Sequence, residues 1–90
     1  MGGGSNNEAN GEWSTIPGGS ENPAIGDYSF AAGRQAKADR QGSFVWGDST
    51  SANIASSRND EFTARVSGGV RFFTNSLATS GVRLFPNSSS

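Results

Sequence analysis

The sequence predicts an all-β chain wound as a parallel β-roll, or solenoid, of about four coils. Three observations predict it. A phrase recurs: Ser14-Thr15-Ile16-Pro17-Gly18, Ser29-Phe30-Ala31-Ala32-Gly33 and Ser43-Phe44-Val45-Trp46-Gly47 all read Ser-x-apolar-x-Gly, the serines 15 and then 14 residues apart. A short fixed period means that each copy is one structural unit stacked on the next. Within each copy the residues alternate with the period of two that marks a strand. The third observation is composition. Gly, Ala, Ser and Asn make up 46 of 90 residues, too many small and turn-forming residues for helix, and no 3.6-residue apolar stripe is present.

The repeat region spans residues 2–55. Its opening phrase, Gly3-Gly4-Ser5-Asn6-Asn7-Glu8-Ala9, matches Gly18-Gly19-Ser20-Glu21-Asn22-Pro23-Ala24, again 15 apart. The echo weakens to Gly33-Arg34-Gln35-Ala36-Lys37-Ala38 and Gly47-Asp48-Ser49-Thr50-Ser51-Ala52. In the second unit the strands are 29–32 and 36–39. Two strands and two turns per 14 or 15 residues make one coil, and coils stack roughly 4.8 Å apart. Alternation assigns the sides. Ser14, Ser29, Ser43, Ile16, Ala31 and Val45 suit the narrow interior. Phe30, Ala32, Phe44 and Trp46 fall on the outside with Thr15 and Pro17. An aromatic stripe on an outer face marks a partner surface, so the chain is expected to self-associate through Phe30, Ala32, Phe44 and Trp46. The opening in mid-pattern leads to the expectation that the chain is a piece of a longer protein.

Residues 56–90 are expected to form a second unit. Residues 56–60 read as a loop, and 61–67 alternates as a strand. Gly68-Gly69 is a hairpin turn signal, and 70–74 is the returning strand. Phe62, Val66, Val70 and Phe72 are the expected core of this β-hairpin cap, which closes the open end of the rod. A loop at 75–81 and a short strand at 82–85 follow.

The repeats resemble the YadA-like head repeats of trimeric autotransporter adhesins. The nearest copy is Ser29-Phe30-Ala31-Ala32-Gly33-Arg34-Gln35-Ala36-Lys37-Ala38, and the resemblance covers roughly residues 3–55. It implies a left-handed roll, three chains side by side about a threefold axis, an extracellular place on a bacterial surface or virion fibre, and an adhesive role without catalysis. The tail from Phe62 onward is similar to segments that follow such repeats in bacterial and phage fibre-like proteins. The positions expected at the axis hold Phe and Trp, where the family usually has aliphatic residues.

Residue types narrow the chemistry. The chain has no Cys and no His, so a disulfide framework and a Ser–His–Asp triad are both excluded. The formal net charge of −1 argues against nucleic acid as the main partner. No apolar run reaches the roughly 20 residues of a membrane-spanning helix. No cofactor or metal is expected. Asp27, Asp39, Asp48, Asp60 and Glu61 raise the question of a carboxylate pair for glycoside hydrolysis, with Asp27 and Asp39 expected on opposite sides of one coil. Solvated turn residues are the preferred account of all five. Arg34, Lys37 and Arg40 are expected as rim residues pairing with Asp39 and Asp48, with an acidic glycan as the rival use. Trp13 and Trp46 are candidates for stacking on sugars. Asn87-Ser88-Ser89 fits a glycosylation acceptor. The function expected is a non-catalytic adhesive or fibre segment that meets its own copies and, through them, a host matrix protein or surface glycan. A phage tail-fibre segment that recognises or degrades polysaccharide is the alternative, and a passive spacer is the third reading.

Overall fold

The structure is a computed structural model and describes residues 2–86. The Asn87-Ser88-Ser89 acceptor lies outside them. The described chain is all-β, with ten short strands. Four of them, β2 (Gly19–Ser20), β4 (Phe30–Arg34), β6 (Phe44–Gly47) and β8 (Phe62–Arg65), stack in that order as one parallel sheet. A second parallel line runs through β1 (Glu8–Ala9), β3 (Pro23–Ala24), β5 (Ala36–Lys37) and β7 (Ile54–Ala55). A bridge between Ala24 and Ala38 joins its two halves. The chain therefore crosses from one line to the other and back once per coil. This is a β-solenoid of about four turns.

Register gives the coil lengths. Thr15 aligns with Phe30, Phe30 with Phe44 and Phe44 with Phe62, so successive coils take 15, 14 and 18 residues. The change from 15 to 14 lies between Thr15 and Gly19, because Gly19 already pairs with Gly33. The expansion to 18 lies between Gly47 and Ile54, because Gly33 pairs with Gly47 but Ala36 pairs with Ile54. The weak echo expected at 47–52 is thus four residues out of register. Ile54 and Ser56, not Asp48 to Ala52, continue the second strand line.

The core is thin and lies between the two lines. Ile16, Ala31 and Val45 enter from the first, and Ala24, Ala36 and Ala38 from the second. All six are fully buried. The inward assignment holds for Ser29 and Ser43, which are buried, while Ser14 on the first coil is half-buried. Few large side chains fit because two strands of one coil enclose little volume, and the small-residue composition is the direct result.

Buried backbone groups must find partners, and at one corner an asparagine ladder supplies them. Asn22 is fully buried. Its Nδ2 donates to the carbonyls of Gly18 and Gly33 at 3.2 and 2.9 Å, and its Oδ1 accepts the backbone N–H of Ala36 at 2.8 Å. One coil earlier, Asn7 repeats the pattern toward Gly3, Gly19 and the N–H of Asn22. Beside the ladder Gly33 has φ +92°, and a side-chain carbon there would collide with the carbonyl of Gly47.

The hairpin at Gly68-Gly69 does not form as expected. Residues 62–65 are the fourth rung of the roll, parallel to β6, with Phe62 in register with Phe44. The parallel ladder thus runs past residue 55. The four-residue expansion at 48–53 displaces this rung from the 14-residue spacing and hides it. The chain does turn at 66–69, where Gly69 N–H donates to the Val66 carbonyl. The strand after the turn, β9 (Val70–Phe73), pairs antiparallel with β10 (Gly81–Leu84). These two strands pack on each other and on no strand of the roll. Phe62, Val66, Val70 and Phe72 accordingly share no core. Phe62 is 68% exposed, Phe72 is also exposed, and Val66 and Val70 are half-buried.

Candidate functional site

Two sets of aromatic side chains stand out on the roll. The first is the outer face of the four-stranded sheet. In-register pairing places Phe30, Phe44 and Phe62 in one column. Their rings stack with centroids 4.4 and 4.6 Å apart and planes within 7° of parallel. The ring spacing is set by the backbone, since the rungs of a sheet lie roughly 4.8 Å apart. Trp46 stands two residues along on the same face and is 40% exposed. Ala32 departs from expectation. It is in register with Trp46 but only 4% exposed. A methyl group among large rings is covered within its own chain, so Ala32 offers almost no contact area to a neighbour.

The second set lies at the corner that links the second strand line to the next coil. Trp13 and Tyr28 occupy equivalent places on successive coils and stack at 4.9 Å with an interplanar angle of 15°. They are 70% and 59% exposed. Their backbones are left-handed, at φ 57° and 60°, and the next two coils repeat that geometry with Gly42 (φ 69°) and Asp60 (φ 61°). Left-handed backbone costs an ordinary L-residue roughly 1–2 kcal/mol and is least suited to bulky side chains. Gly and Asp are the residues this corner favours. The sequence shows Trp13 and Tyr28 at the same phase of the repeat. Their stacking was not anticipated, because the 14-residue echo draws attention to the strands.

No family model, no curated protein and no solved structure matches the chain. The local chemistry therefore rests on the residues alone.

The carboxylates serve the backbone. Asp27 Oδ1 accepts the N–H of Glu12 at 2.9 Å. Asn59 does the same for Gln41 at 3.2 Å. Asp27 and Asp39 lie at one corner of successive coils, since Gly42 N–H bonds the Asp27 carbonyl and Ile25 N–H bonds the Ala38 carbonyl; they do not face each other across one coil. Asp48 is held by Arg65, whose Nε donates to its Oδ1 at 2.8 Å, and by the N–H of Ser67 on Oδ2 at 2.8 Å. These bonds keep the Asp48 carboxyl far below the usual carboxylate range, with Arg65 the largest cause. Asp48 was expected to pair with the Arg34 cluster, but Arg65 takes it. Arg34 instead donates to the Ser49 carbonyl at 3.1 Å. Together Arg34 and Arg65 pin the 48–53 expansion to the roll.

Glu61 accepts the N–H and hydroxyl of Ser57 and the hydroxyl of Thr63. Its pKa falls to about 2, with the Ser57 N–H the largest cause. Among the described residues no group of three or more Asp or Glu side chains is placed to hold a metal ion.

Proposed function

We propose that the chain is a non-catalytic structural segment of a homotrimeric fibre or adhesin displayed outside the cell or on a virion. Three left-handed rolls pack side by side about the Phe30–Phe44–Phe62 face, and the β9–β10 hairpins close the end together. The observation that carries this reading is the Phe ladder itself. A continuous stack of rings on an outer sheet face, flanked by Trp46, is apolar surface that a soluble chain needs to cover.

Energetics favour the same reading. The interior of one roll holds Ile16, Val45 and four alanines as its fully buried apolar residues, too little to stabilise the chain comfortably. Each Phe or Trp buries roughly 150–250 Å² at roughly 25 cal/mol per Å². Phe30, Phe44 and Trp46 together offer on the order of 10 kcal/mol per chain before entropy is subtracted. The hairpin gives a second reason. A lone two-stranded ribbon is marginal in water, and this one exposes Phe72, Val82 and Leu84. Strand alternation puts those three with Val70 on one face, ready to meet the same face of another copy.

The test is absolute mass in solution by light scattering, with far-ultraviolet circular dichroism. A mass of three chains and a β spectrum are expected. A compact β-rich single chain under native conditions overturns the proposal.

A further inference from the structure

The Trp13–Tyr28 corner does not belong to the Phe face, and its make-up points to a ligand of a different kind. Two bulky aromatics sit where the backbone favours Gly, Asn or Asp, and both remain largely exposed. Neither fold nor core explains them. Backbone strain retained at an exposed position is a mark of a functional site. The surroundings define the chemistry. Glu12 and Asp27 immediately precede the two aromatics, and acidic residues are depleted at the cores of protein interfaces. The third rung, Gly42, contributes no side chain. The Asp60 carboxylate folds over it, since a side-chain carbon at Gly42 would collide with that carboxylate. The corner thus presents stacked rings with polar edges, an indole N–H and a phenol O–H, followed by a step roofed by a hydrogen-bond acceptor.

We infer that this corner is a shallow binding platform for a neutral hexopyranose chain. The C–H face of a sugar ring packs on the aromatic surface, and its hydroxyls donate to Asp60 and Asp27. A uronic or sialic acid is disfavoured by the same carboxylates. Repetition of the platform on each chain of an assembly raises weak single contacts by effective concentration.

The experiment uses the whole chain against immobilised hexasaccharides of glucose, galactose and mannose, with an oligogalacturonate series alongside. The variant is Trp13→Asn combined with Tyr28→Asn, because Asn accepts left-handed backbone. The wild type is expected to bind at least one neutral series more tightly than the uronate. The double variant is expected to lose tenfold or more in affinity while keeping its solution mass and an equal or higher melting temperature. Absence of neutral-sugar binding by the wild type, equal binding by the variant, or preference for the uronate overturns the inference. A change of solution mass in the variant also overturns it and makes the corner a contact between copies. Because mass and sugar binding are read separately, failure of the platform is distinguishable from failure of the trimer.

Discussion

The Asn22 side-chain oxygen accepts the backbone N–H of Ala36 at 2.8 Å, one coil further along the chain. The same amide donates to carbonyls on both its own coil and the next. One side chain thus serves three backbone groups that the tight corner withholds from the strand ladders.

Asn22→Ala is therefore expected to destabilise the fold by about 2–3 kcal/mol, since it leaves buried backbone groups unpaired. Asn22→Asp keeps the acceptor but loses both donors, and is expected to be no better. The midpoint of urea unfolding is the readout, and a midpoint unchanged in both variants would refute the ladder's role.

Two glycines separate strain from contact. Gly33→Ala places a methyl group in left-handed backbone against the fixed carbonyl of Gly47, and is expected to cost about 2 kcal/mol or more. Gly42→Asn keeps a residue type that tolerates this backbone, and its new side chain meets only the movable end of Asp60. It is expected to change stability by less than about 1 kcal/mol. Thermal unfolding of the pair checks the contrast.

Acid is expected to loosen the fourth coil. The Glu61 carboxyl has a folded pKa of about 2 against an ordinary 4.5. Its contribution is therefore present in full above pH 4.5 and disappears as pH falls toward 2. Asp48 is lowered in the same sense from 3.8 and extends the loss further into acid. The melting temperature should decline from pH 4.5 downward. Glu61→Gln should flatten the decline between pH 4.5 and 2, and an identical profile would exclude Glu61 as a source.

Phe44 stands between Phe30 and Phe62 in the ring column. Phe44→Ser interrupts the column at its middle and is expected to convert the assembly to single or unfolded chains. Trp46→Ser is expected to act in the same direction. Light scattering gives the mass, and an unchanged mass and melting temperature in both would show that the face is not the contact.

Much of the roll was legible because spacing and residue type recur together. Ile16, Ala31 and Val45 read as interior and Phe30, Phe44 and Trp46 as exterior from alternation alone. What stayed hidden had physical causes. Four extra residues between Gly47 and Ile54 moved Phe62 off the period, so a rung of the sheet read as half of a hairpin. Ala32 shared a side with the rings, but alternation gives direction and not coverage. Asn22 was visible in the Gly-Gly-Ser phrase, yet a buried Asn and a turn Asn look alike until the carbonyls it serves are placed. Trp13 and Tyr28 carried a signal of their own, matching phase 15 residues apart, that only the left-handed backbone makes informative.

The matched 14-residue register between Phe30 and Phe44 has an evolutionary corollary. Duplicating residues 30–43 in the gene would insert one whole layer, with every column continuing through the new segment and length growing by roughly 4.8 Å. Selection can thus tune the reach of such a rod in discrete steps by unequal recombination, without redesigning a corner. Insertions of other sizes have a natural outlet between Gly47 and Ile54, where the chain already bulges outward without disturbing the layers on either side.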